Sequence, residues 1–472
     1  MNKLFTFIAI TCFAMYASAQ TSIPNGGFED WTSSSIEYPS YYINNSNIEA
    51  SMKGFPSNLV KSTDAYHGIY AVQLTSVVAN DMFGYLYNSP SQSDPDQWTG
   101  GAPIVGTPTG IRGYYKYNVA SGDTATVIVS CRKNGNSIGM YLFNMGGNVS
   151  NYTLFDFEFQ PALMEAPDSI VVAFASSDVM NERFLDGSTL LIDSISLTGL
   201  VTQPNFFNGD FEEWTTETMY SPDTWKVSAM KNGVIRSTDS YEGTYALELT
   251  SMLDGDRNRS SSVMTGEWKE ITPGDYQPTG GYPYTEIKDT VSFYYKYSVG
   301  IEGDTAIFMA FFKKDGAQIA GLQYQLTENA NYSLVQIPFE IQEAPDTIII
   351  AINSGNWGAD SIIFAGAVLK IDDIKFKSES VTTSLFNNSE NKLNVYPNPS
   401  SSSVYISLPN CSGEKNIVIK DIQGKVVATK TISSTSFMKY CTFDTAGLSN
   451  GMYVVSVTSD NNTMSTKFSV QH

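Results

Sequence analysis

The chain repeats itself. Asn25 to Thr32 reads NGGFEDWT and Asn208 to Thr215 reads NGDFEEWT. KSTDAYHGIYAVQLTS from Lys61 returns as RSTDSYEGTYALELTS from Arg236, YYKY at Tyr114 returns at Tyr294, and GDTA at Gly122 returns at Gly303. EAPDSI at Glu165 matches EAPDTI at Glu343, and GSTLLIDSI from Gly187 matches GAVLKIDDI from Gly366. Six ordered matches at displacements of 175 to 183 residues mark a duplication, and internal periodicity of this kind constrains a fold more than any single motif. It predicts two homologous domains, 20–199 and 204–377.

Within each copy the local pattern is β. TATVIVSCR, LFDFEFQ, SIVVAFASS and STLLIDSISL in the first copy, and AIFMAFF, SLVQIPFEI, TIIIAI and AVLKIDDIKF in the second, are short runs rich in Val, Ile, Phe and Thr between Gly, Pro, Asn and Asp turns. No long 3.6-period segment competes with them. Many short strands without interleaved helices predict an all-β chain of two tandem jelly-roll sandwiches.

The ends read differently. Lys3, an apolar run from Leu4 to Tyr16 and Ala17-Ser18-Ala19 form the layout of a signal peptide, residues 1–19, cleaved before Gln20. Cys12 follows Thr11 inside the apolar run, which departs from a lipoprotein signal. No later segment reaches the roughly 18 apolar residues of a spanning helix, so no transmembrane segment is expected after cleavage. Residues 378–391 read as a polar linker. Beyond it, 392–472 alternates strand patterns with Pro-Asn-Pro, Gln-Gly and Asn-Gly turns, enough for a small C-terminal β-sandwich.

Charge excludes one class of partner. Asp+Glu 48 against Lys+Arg 28 give a formal net charge of −20, and such a surface repels phosphate backbones, so nucleic acid is not an expected ligand. Beyond the leader only Cys131, Cys411 and Cys441 remain, an odd number that rules out a disulfide scaffold. Cys411 and Cys441 are either bridged or two buried thiols.

Two resemblances add to this. NVYPNPS at Asn394 to Ser400, DIQGKVV at Asp421 to Val427, GLSNGMYVVSV at Gly447 to Val457 and the ending KFSVQH occur in the order of the type A sorting domain of the type IX secretion system, which the region 392–472 resembles. The resemblance implies a secreted, extracellular protein that engages the outer-membrane secretion machinery and is attached to the outer cell surface. NGGFEDW, STDAYHGIYAVQL, PTGIRGYYKY with the following GDTA, and GSTLLIDSISL make each copy similar to the PCMD group of carbohydrate-metabolism domains and, more distantly, to β-sandwich carbohydrate-binding modules. Such patterns report a fold better than a function. Where the second copy has SPDTW, ending at Trp225, the first has YPSYY, ending at Tyr42, which exchanges Trp for Tyr at a possible contact position.

Catalytic chemistry finds little support. His67 lies in the turn DAYHG where the second copy carries Glu242, and a residue that differs between copies is not shared machinery. Cys131 aligns with Phe312 and shares strand parity with Val127 and Val129, as a core thiol would. No GxSxG, HExxH or P-loop pattern is present. A structural Ca²⁺ is better motivated, because Glu29 and Asp193 stand near the two ends of the first copy and Glu212 and Asp372 near those of the second. If first and last strands meet, these carboxylates offer the oxygen ligands Ca²⁺ prefers. Asp64 and Asp239 in the STD turns are weaker candidates.

Ligand contact is expected where the copies diverge but stay aromatic. One variable loop carries Phe83, Tyr85, Tyr87 and Trp98, and its counterpart carries Trp268, Tyr276, Tyr282 and Tyr284. Six of these, Tyr85, Tyr87, Trp98, Trp268, Tyr282 and Tyr284, are the candidate contacts for a polysaccharide or glycoconjugate. The competing role for each is core packing or loop anchoring. The expectation is a non-catalytic surface binding protein; a structural or adhesive protein with protein partners, or a secreted glycoside hydrolase, are the alternatives.

Overall fold

A computed structural model describes residues 23–378 and 393–472, apart from 93, 120–121, 182–184, 205–206, 256, 273, 301–302, 356–363, 394, 397, 401–402, 409–413, 433–439 and 460–461. The leader and nearly all of the linker lie outside the described residues, as does Cys411.

The fold is all-β. In the first sandwich a five-stranded sheet runs Val149–Glu158, Gly110–Asn118, Thr189–Thr198, Ala71–Thr75, Leu59–Ser62. Against it packs a sheet ordered Asn44–Asn45, Tyr85–Tyr87, Ser169–Ala175, Thr124–Lys133, Asn136–Gly146, with Ala102–Pro103 also paired to Ser169–Ala175. The second sandwich has the same two sheets strand for strand: Val234–Ser237, Ala246–Thr250, Val368–Lys377, Thr290–Ser298, Asn329–Pro338, and Lys226–Ser228, Ser262–Met264, Thr347–Asn353, Ala306–Lys314, Ala317–Leu326. Strand alternation sends Val127, Val129, Cys131 and Phe174 of the first copy, and Phe308, Ala310, Phe312 and Ile350 of the second, into the space between their sheets. The C-terminal region has its own core around Val404, Ile417, Val455 and Phe468.

The two sandwiches exchange their first segments. Phe28 packs in the second core, 5.2 Å from the ring of Trp225, and Gly26 O accepts from Ile374 N at 2.8 Å. Reciprocally, Phe211 packs in the first core, 5.6 Å from Tyr42, and Gly209 O accepts from Ile195 N at 2.6 Å. Both glycines are required by close approach: a Cβ at Gly26 would lie 2.5 Å from Ile374 O, and one at Gly209 would lie 2.1 Å from Ile195 O. Between exchange and return, Trp31–Pro39 pairs antiparallel with Trp214–Pro222 along nine residues, from Trp31 opposite Pro222 to Pro39 opposite Trp214. The chain therefore crosses over twice, through a two-stranded ribbon with approximate two-fold symmetry. Trp225 and Tyr42, proposed above as a contact position, are both core.

Candidate functional site

The six-stranded sheet of the first sandwich turns an aromatic, concave face outward. Cross-strand register places Tyr87, Ala173, Ile128 and Leu142 in one row, and Tyr85, Ala175 and Thr126 in the next. Their immediate neighbours Leu86, Phe174 and Val127 point inward, so the period of two sorts floor from core. Trp98 closes one end over Val171, Ala173 and Ile128. The Tyr87 ring stacks on it with centroids 5.0 Å apart and planes 13° apart, and Tyr85 lies 6.0 Å from Tyr87 at 26°. The resulting groove measures about 940 Å³.

One wall is a short helix, Ser46–Lys53, that the strand-dominated sequence pattern did not announce. Asn45 caps it, its side chain accepting from Asn47 N and Ile48 N, and Gly54 ends it at φ 72°. Glu49 on this helix has both oxygens engaged: Oε1 accepts from Lys53 Nζ at 2.6 Å and Oε2 from Tyr85 OH at 3.0 Å. The carboxylate thus fixes the Tyr85 ring, and burial beside it pushes the Tyr85 hydroxyl well above the usual tyrosine range. Burial, with Asp254 nearby, moves Tyr87 the same way. The opposite wall comes from the other sandwich, through Val227, Ser228 and Ala229, while Asp94 and Asp96 stand at the rim.

The corresponding face of the second sandwich is filled. Ser262 and Met264 stand where the first copy has Tyr85 and Tyr87, and the row equivalent to the groove floor reads Met264, Ala351, Met309, Gln323. Met264, Ile307, Met309, Ile349 and Ala351 are buried together. A hairpin of Gly266–Thr272 and Asp275–Gly280 stands against Ile349. Trp268 on this hairpin is 37% exposed, edge-on to Phe311 at 5.8 Å, and Tyr276 is exposed. Tyr282 occupies the register position of Ala102, and its hydroxyl donates to Thr224 O. Tyr284 is 2% exposed in the core.

Of the six aromatic candidates, then, Tyr85, Tyr87 and Trp98 converge, and Trp268, Tyr282 and Tyr284 do not. Trp98 itself is 4% exposed: it backs Tyr87 rather than offering an open face. Groove residues that the sequence did not nominate are Glu49, Met140, Leu142 and the Val227–Ala229 wall. Met140 and Leu142 carried a signal, being apolar yet on the outward parity of their strand, and they are exposed.

The paired carboxylates are rearranged by the exchange. Glu212, not Glu29, joins Asp193, and Glu29 joins Asp372. Asp193 Oδ2 accepts from Tyr66 N and His67 N at 2.7 and 3.0 Å, while Glu212 Oε1 accepts from Ile69 N and Tyr70 N at 2.7 and 2.9 Å. Asp372 and Glu29 hold Tyr241, Glu242, Thr244 and Tyr245 identically. Burial raises Asp193 and Asp372 above the ordinary carboxylate range, against the pull of these amides. The N–H groups aimed at these carboxylate oxygens make them the caps of the two turns. Among the described residues no three His, Cys, Asp or Glu side chains cluster as metal ligands. Asp64 and Asp239 instead pair with Lys116 and with Lys296 and Lys370.

His67 is an exposed turn residue, and Cys131 is a fully buried core thiol whose pKa burial pushes up to about 12. Cys441 is likewise buried.

Residues 394–471 match the model of the secretion system C-terminal sorting domain. This region is a sorting domain of the type IX system, and the protein is secreted by a route that often ends in attachment to the outer cell surface. No curated protein sequence matches the chain significantly. Solved structures similar to parts of it include a β-1,2-glucanase from Parabacteroides distasonis, at 12% identity over 53% of this chain and 36% of that one, TM-score 0.22. The chain thus spans about a third of that protein. TmCBM61 in complex with β-1,4-galactotriose is similar at 15% identity over 33% of this chain and 90% of that one, TM-score 0.22. The tandem CBM22-1-CBM22-2 domain of Paenibacillus barcinonensis Xyn10C is similar at 11% identity over 76% and 96%, TM-score 0.19.

Proposed function

We propose that the protein is a secreted carbohydrate-binding protein whose ligand lies in the groove of the first sandwich. The observation that carries this reading is the pair Tyr85 and Tyr87, near-parallel rings on an apolar floor with Trp98 backing Tyr87, and carboxylates at the walls and rim. Sugar rings present C–H faces that stack on aromatic planes and hydroxyls that donate to acceptors, so this mixture suits a glycan. Both oxygens of Glu49 serve to hold Lys53 and Tyr85, which favours binding over hydrolysis. Screening the full chain on a glycan array, then titrating Tyr87→Ala against the best ligand, tests the reading. Tyr87 is half-buried at the groove surface, and its loss is expected to weaken binding by about 2 kcal/mol or more. Unchanged affinity in a folded Tyr87→Ala protein, or no glycan bound at all, refutes it.

A further inference from the structure

We infer that the site is composite: the aromatic groove continues onto the second sandwich as a polar shelf, and the two together are built for an extended, uncharged oligosaccharide. This rests on the carbohydrate reading above. A second cavity of about 470 Å³ adjoins the groove, with Gln92, Ser228 and Ala229 lining both. Beyond that junction the surface changes chemistry: Asn258, Arg259 and Ser260 replace the rings. The first cavity alone lies at the upper end of small-ligand sites, about 300–1,000 Å³, so the pair exceeds what one or two sugar units fill.

The junction is a constructed feature. Asp254 of the second sandwich, 1% exposed, accepts from Ser91 Oγ at 2.8 Å and Gln92 N at 2.6 Å of the first, and from its own neighbour Arg259 Nε at 3.1 Å. A buried carboxylate so satisfied fixes the two sandwiches in register at the point where the cavities meet.

Charge narrows the ligand. The two cations lining the cavities are already opposite carboxylates, Lys53 with Glu49 at 2.6 Å and Arg259 with Asp254 at 3.1 Å. Arg257, a further cation near this rim, already faces Asp94 at 3.9 Å, so a uronate or sulfate would meet Asp94 and Asp96 with the neighbouring cations engaged, and like charges brought together cost affinity.

The test is an array of neutral, uronic-acid and sulfated oligosaccharides, each printed from disaccharide to hexasaccharide and probed with the full chain. Neutral hexasaccharide is expected to bind about tenfold tighter than its disaccharide, and Arg259→Gln is expected to cut that ratio to about threefold. Gln92→Ala, an exposed position at the junction, provides the same readout should Arg259→Gln fail to fold. Binding that ignores chain length, a preference for acidic glycans, or a length ratio unmoved in a folded variant overturns the composite site while leaving the groove intact. Absence of binding to every glycan overturns the carbohydrate reading itself.

Discussion

The two sandwiches share a frame and differ on one face. Inward positions keep their character between copies, Val127 for Phe308 or Phe174 for Ile352, while on the outer face of the same sheet Tyr85 and Tyr87 are replaced by Ser262 and Met264. Packing constrains every inward residue through many neighbours at once. An outward residue answers only to what covers it, here a helix and a cross-sandwich wall in one copy and a β-hairpin in the other. A duplicated fold thereby keeps its core twice and elaborates its groove once.

The frame is nevertheless not two independent domains, and cutting it gives the largest expected effect. A fragment of residues 20–199 retains Phe28 but lacks Phe207, Phe211 and Glu212, which complete its own core and cap its own turn. Its free segment matches the one it lacks, so two fragments can exchange segments in trans. Sedimentation is expected to show a folded dimer or an unfolded monomer; a stable folded monomer would break the account of exchange.

Single truncations sharpen the same point. Phe28→Ala and Phe211→Ala each remove a fully buried ring and are expected to cost about 3–5 kcal/mol. The location of the damage is the discriminating observation. Hydrogen exchange should accelerate in Ala246–Thr250 and Val368–Lys377 for Phe28→Ala, and in Ala71–Thr75 and Thr189–Thr198 for Phe211→Ala, each in the sandwich opposite the mutated copy.

None of this exchange was legible in the sequence, for a physical reason. Similarity between copies says which segments are equivalent, but equivalent segments fit either core, so NGGFEDW and NGDFEEW carry no mark of which copy they pack against. The strands were legible because alternation reports burial directly, and the sorting domain because its turn motifs are ordered. The aromatic loop was half legible. Tyr85 and Tyr87 lie on an outward parity that their strand fixes, whereas Tyr284 replaces Ile104 at an inward one, and sequence alone does not distinguish those parities in an irregular loop. The helix at Ser46–Lys53 spans eight residues, too short for its periodicity to stand out.

Tyr284 offers a smaller test of that distinction. Among the described residues its buried hydroxyl has no hydrogen-bond partner, a cost that Phe avoids. Tyr284→Phe is expected to leave glycan binding unchanged and to be neutral or stabilising by about 1 kcal/mol in urea unfolding. Lost affinity would return Tyr284 to the site.

The smallest effect compares the two STD turns. Among the described residues Asp64 pairs with Lys116 alone, whereas Asp239 pairs with both Lys296 and Lys370, because Leu191 occupies the position of Lys370 in the first copy. The bonds from Lys296 and Lys370 hold the Asp239 carboxyl below the ordinary carboxylate range. A carboxylate depressed on folding contributes stability that is fully present above its unfolded value, near pH 4, and is lost as pH falls through the folded value. Asp239 is half exposed, so Asp239→Asn should cost less than about 1 kcal/mol at neutral pH. Urea unfolding at a series of pH values should show that cost shrinking below about pH 4, and high salt should reduce it at neutral pH. The Lys370→Leu protein should show a smaller loss on adding Asp239→Asn, since one of the two partners is already gone. A loss that persists unchanged into acid would show that Asp239 acts through its turn backbone, as Ser237 Oγ already does for Asp239 N, and not through its lysines.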